Sequence, residues 1–105
     1  MIIPESDWKK FKPLRDKALA WLCDRILSEI AATSAEEALS SHEKYLKIYS
    51  QIRDHNKELG RIFDGYSRSR ALSQLAMIQS CDLLQREEFE CFSASTQEFL
   101  ARFRQ

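Results

Sequence analysis

A chain of 105 residues, 44% hydrophobic and 30% charged, makes one globular domain spanning 1–105 and leaves no room for a second. Sixteen Lys and Arg balance sixteen Asp and Glu, so no net field draws it towards nucleic acid or an anionic membrane. Cys23, Cys81 and Cys91 are an odd count without a C-x-x-C pair, inside apolar helical patterns, which points to buried thiols in a reducing cytoplasm.

The start, Met1-Ile2-Ile3-Pro4-Glu5, has neither a basic n-region nor a long apolar run. It therefore reads as neither a signal peptide nor a membrane span, and Ile2 and Ile3 are expected against the folded body. A first helix opens at Ser6 or Asp7, either of which can cap, and carries Trp8 and Phe11 to Pro13. Proline removes a donor and clashes one turn back, so the helix should kink near Pro13 or end by Lys12 and restart there. From Leu14 to Ala32 two apolar faces are expected: Leu19, Leu22, Cys23, Ile26 and Ile30 on one, Leu14, Ala18 and Trp21 on another.

Two capping boxes follow, Ser34 with Glu37 and Ser40 with Glu43. The second is preferred as the start of a central helix, with residues 34–40 as a loop or short turn. Tyr45, Ile48, Ile52, His55, Leu59, Ile62 and Tyr66 fall at alternating steps of three and four, which predicts one buried seam. Neighbouring helices should roof that seam, because a helix of this length is barely stable alone. Gly60 lies on its polar side, and Asp64-Gly65 should close it.

A third helix is expected from Arg70 to about Asp82, capped by Ser67 or Ser69 and apolar around more than half its circumference. Leu83-Leu84 should form a buried corner, followed by a short helix from Arg86 to Phe92. A last helix is capped by Ser93 or Ser95, with Ser95-Thr96-Gln97-Glu98 as a further box. Phe89, Phe92, Phe99 and Phe103 should fold this tail over the rest. No segment alternates like a strand, so the class is all-α: a compact helical bundle of three principal helices plus two short C-terminal helices.

Candidate sites are few. His42 and His55 belong to no metal-ligand spacing, so no metal and no cofactor is expected. His55 and Asn56 form a candidate polar seam, with His55 read as a register-setting residue in a helix interface. Arg61, Arg68 and Arg70 are the local basic cluster, a candidate anion site before the third helix. Leu14, Ala18 and Trp21 are a candidate interaction surface, since Trp is enriched at interface centres. A helix-turn-helix reading of Ala71 to Phe92 fails on sign, because Arg86-Glu87-Glu88-Phe89-Glu90 sets three carboxylates against one arginine. No glycine-rich phosphate loop, G-x-S-x-G elbow or recognisable Cys and His pairing is present, so no enzyme is expected.

Asp7-Trp8-Lys9, the helix beginning His42-Glu43-Lys44-Tyr45-Leu46, and Leu83-Leu84 followed by Glu87-Glu88-Phe89 together resemble small uncharacterised all-helical proteins of bacteria. The resemblance covers most of the chain and implies a bacterial cytoplasmic protein, and it transfers no activity, cofactor or catalytic residue. The function expected is a small protein-protein interaction module, with a protein partner or a homodimer as the assembly. The alternative is a nucleic-acid or anion-binding regulator acting through Arg61, Arg68 and Arg70.

Overall fold

A computed structural model describes residues 1–103; Arg104 and Gln105 lie outside the described residues. The chain is all-α. Helix α1 spans Glu5–Ser34 and α2 Ser41–Phe63, a 3₁₀ turn covers Arg68–Arg70, α3 spans Ala71–Ser80, α4 Arg86–Glu90 and α5 Ala94–Ala101. No strand occurs among the described residues.

Helix α1 runs unbroken through Pro13. The missing N–H leaves the Lys9 carbonyl without its helical partner, at a cost of about 3 kcal/mol in an ordinary helix interior. Pro13 sits on the exposed side, while Phe11 and Leu14 on either side of it are both core. Burial on one side and water on the other carry the helix across the proline. Pro13→Ala is expected to raise the stability read from urea unfolding by about 1 kcal/mol or more, moving the midpoint up. An unchanged or lowered midpoint would mean that packing around the proline ring outweighs the lost hydrogen bond.

The core stripe of α1 is Phe11, Leu14, Ala18, Leu22 and Ile26, one line at steps of three and four. The expected division into two faces is therefore corrected: Leu14 and Ala18 continue into Leu22 and Ile26. Against this line pack Ile62 and Phe63 from α2, Ala71, Leu72, Leu75 and Ile78 from α3, and Leu83, Phe92 and Leu100 from the tail. Ile3 is buried, whereas Ile2 is exposed. Among the tail phenylalanines Phe92 is buried, Phe89 and Phe99 are half-buried, and Phe103 is exposed.

Capping differs from the reading of α1. Pro4, not Ser6 or Asp7, precedes the first turn, and no side chain caps it. Asp7 instead is buried and holds the residues at the start of α5: its Oδ1 accepts from the Ser93 backbone N–H (3.0 Å), and its Oδ2 accepts from the hydroxyls of Ser93 and Thr96 (2.6 Å each). These bonds weld the first turn of α1 to the start of α5. Ser40 and Glu43 do form the reciprocal box that starts α2. Gly65, at φ +76°, supplies the left-handed step just after α2 closes. No side chain caps α3, and the Ser95 box does not form because α5 begins at Ala94.

The bundle is drawn out. Its radius of gyration is 16.7 Å and its extents are 52 × 24 × 23 Å, against about 13 Å expected for a compact chain of this length. Helices α3 to α5 are short and surround the lower part of the long hairpin α1–α2. The upper part projects.

Candidate interaction surface

At the projecting end, α1 and α2 meet through polar groups. Lys47 Nζ lies 3.3 Å from Glu36 Oε2, Gln51 Nε2 donates to Thr33 Oγ1 (2.9 Å), and His55 Nε2 lies 2.5 Å from Glu29 Oε2. Lys47, Gln51 and His55 recur every four residues, so one line of α2 is committed to this ladder. Thr33 is buried beneath it and donates back to the Glu29 carbonyl.

The apolar residues of the same stretch consequently lie beside the ladder. Tyr45 is 67% exposed, Tyr49 58%, Ile52 50% and Leu46 50%, and on α1 Leu27 is 61% exposed. The seam expected to be roofed by neighbouring helices is therefore bare at Tyr45 and Ile52, and of its seven members Ile62 alone is buried. The physical reason is that the seven lie on two lines: Ile48, His55 and Ile62 turn towards α1, while Tyr45 and Ile52 turn aside with Tyr49. Tyr66 lies beyond α2 and stacks on Trp8 (4.8 Å between centroids) and Phe11 (6.1 Å).

Lower on the hairpin, Leu19 of α1 and Asn56, Leu59, Gly60 and Phe63 of α2 line one cleft. Along α1, helical spacing continues the Leu19 side to Cys23, Leu27 and Ile30; along α2, it continues the Asn56 side to Ile52, Tyr49 and Tyr45. One face of the hairpin thus carries apolar side chains from both helices. Arg53 stands at its edge, with its guanidinium 5.9 Å from the Tyr49 ring centroid and its Nε 3.3 Å from Asp54 Oδ1.

The residues singled out in the sequence distribute differently. Leu14 and Ala18 are buried at 7% and 1%, so they are core and no surface; Trp21 is half-buried with Lys17 Nζ 4.6 Å from its ring centroid. The three arginines do not converge on a common anion site. Arg61 pairs with Glu58 at 2.5 Å, Arg68 donates to the Ile3 carbonyl (3.1 Å), and Arg70 donates to the Asp64 carbonyl (3.2 Å). The Arg61 guanidinium holds the Glu58 carboxyl below its usual range, and Glu58 in turn raises Arg61. Arg70 and Arg15, which donates to the Phe63 carbonyl, complement the negative end of α2.

His55 is half-exposed, and Asn56 is exposed. His55 borders a cleft of about 540 Å³ with Glu29, Glu58, Cys81, Asp82, Arg25, Leu22 and Ile26. No group of three or more His, Cys, Asp or Glu side chains converges there or elsewhere among the described residues as a metal site would require. Cys23 and Cys81 are half-buried, and Cys91 is exposed at the end of α4, so the thiols are less enclosed than expected; none forms a disulfide. No described helix is long and apolar enough to cross a membrane.

The exposed face was written in the sequence as Tyr45, Tyr49, Ile52 and Asn56, at steps of four, three and four. Tyr49 is the member that a reading centred on His55 misses, and Asn56, read there as part of a polar seam, stands on the exposed line instead. Compared with protein-family models, with curated proteins and with solved structures, the chain matches none.

Proposed function

We propose that the chain is a helical protein-interaction module that binds through the apolar face of the α1–α2 hairpin. The observation supporting this is the separation of lines on α2: the polar ladder occupies α1, and Tyr45, Leu46, Tyr49 and Ile52 are left at least half exposed. A contiguous patch of large apolar side chains on a projecting element is the kind of surface that another protein covers. Charges along its border, Arg53 among them, set specificity more than affinity. The three cysteines, none in a disulfide, suit a cytoplasmic location, which belongs to the same reading. No reaction is part of it.

The test is a variant carrying Tyr49→Glu and Ile52→Lys together. Both side chains are exposed, so helical content should be preserved and the stability read from urea unfolding should stay within about 0.5 kcal/mol of the parent. The parent is expected to associate, with itself or with a protein captured from a lysate of the source cell, and the double variant is expected to lose that association. A parent that is strictly monomeric and captures nothing, or an association that survives both charges, defeats the proposal.

A further inference from the structure

We infer that the occupant of this face is a second copy of the chain, packed antiparallel about a two-fold axis so that two α1–α2 hairpins close into a four-helix bundle. The inference rests on the interaction reading above and adds its partner and register. Tyr45, Tyr49, Ile52 and Asn56 continue at the same spacing into Leu59 and Phe63, which pack within the chain. Such steps of four and three are the a and d positions of a heptad, with Tyr45 and Ile52 at d and Tyr49 and Asn56 at a. The hairpin therefore carries a coiled-coil seam whose lower half is covered by its own core and whose upper half is open.

In an antiparallel pair each a residue faces a d residue. Tyr49 of one copy then lies opposite Ile52 of the other, and Asn56 opposite Tyr45, with the axis crossing α2 between Ser50 and Gln51. Polarity fits this register. The Asn56 side-chain amide and the Tyr45 hydroxyl make no hydrogen bond among the described residues, and between copies the hydroxyl can donate to the amide oxygen. A polar a position satisfied in one alignment and orphaned in the others is a device for fixing register. Area fits as well. Leu27, Tyr45, Leu46, Tyr49 and Ile52, half to two-thirds exposed, present about 500 Å² per copy, so pairing removes about 1,000 Å², the lower bound for a specific interface. The contact is isologous, so it closes at two copies without leaving an open patch.

Sedimentation equilibrium through the micromolar range is the test, with helical content followed in parallel. The parent should reach dimer mass. Ile52→Lys should weaken the dimer by at least about a hundredfold, as expected for a charge placed in the centre of an interface. Tyr45→Phe should weaken it about tenfold by orphaning Asn56, and Asn56→Leu should strengthen it. Within one chain Tyr45 and Asn56 stand about 16 Å apart along the helix, too far to touch, so energetic coupling between them in a double-mutant cycle can arise only across the axis. A parent monomeric at every concentration overturns the second copy, while leaving the interaction reading intact if another protein binds through Ile52. A dimer indifferent to both Ile52→Lys and Tyr49→Glu overturns both. A dimer sensitive to Ile52→Lys but without coupling between positions 45 and 56 overturns the antiparallel register.

Discussion

Asp7→Ala is expected to destabilise the fold by about 3 kcal/mol, lowering the melting temperature by about 15 °C. The carboxylate is 1% exposed and takes three hydrogen bonds from the start of α5, one from the Ser93 N–H and two from hydroxyls. Removing it orphans the buried Thr96 hydroxyl together with the Ser93 N–H and hydroxyl just before α5. The dependence on acid follows from the same contacts. Burial by itself pushes the Asp7 carboxyl up, but the hydrogen bonds from Ser93 and Thr96 and the nearby Lys10 ammonium outweigh it and hold the group below its ordinary value. A carboxyl depressed in the folded state contributes stability that is full above its unfolded value, near pH 4, and is lost as the pH falls through the folded one. Urea midpoints of the parent should therefore fall below about pH 4 more steeply than those of Asp7→Ala. Parallel acid profiles, or a variant as stable as the parent, would show that α5 is held by its apolar contacts alone.

Phe11→Ala should have the larger effect, about 4 kcal/mol. The ring is 0% exposed and forms the inner member of a stack with Trp8 (5.9 Å) and Tyr66 (6.1 Å), so its loss opens a cavity where α1 meets the exit of α2. Domains of this size hold roughly 5–15 kcal/mol in total, and the variant should be partly unfolded at moderate temperature. Trp8 reports this directly: its emission should shift to the red, and the urea transition should move to low concentration. Phe11→Leu, which keeps most of the volume, should retain more than half of the lost stability. A Phe11→Ala variant within about 1 kcal/mol of the parent would mean that the surrounding side chains collapse into the space left by the ring.

How far the chain could be read in advance depended on the range of the interaction involved. The Ser40 and Glu43 box and the glycine closing α2 were legible because each joins groups within a few residues. Asp7 was not, since an N-terminal aspartate looks like a cap for the helix it begins, and its actual partners lie 86 to 89 residues away. Arg68 and Arg70 look like an anion site in sequence because their neighbours are other arginines and serines. In the fold the nearest acceptors are the Ile3 and Asp64 carbonyls, and these take the guanidinium groups. Leu14 and Ala18 were set apart from Leu22 and Ile26 by an idealised wheel, whereas the core follows the line of steps of four that drifts around α1.

By itself the sequence determined that the chain is helical, where the central helix starts and stops, and that α2 carries apolar residues in need of cover, because periodicity and capping are settled by hydrogen bonds and side chains within a turn or two. Which of those residues are covered was decided by the tertiary structure alone. Helix α1 is about 45 Å long and α3 about 15 Å, so the short helices enclose Leu59, Ile62 and Phe63 but do not reach Tyr45, Tyr49 and Ile52, while Glu29 and Thr33 of α1 and Glu36 just beyond it engage only the line of Lys47, Gln51 and His55.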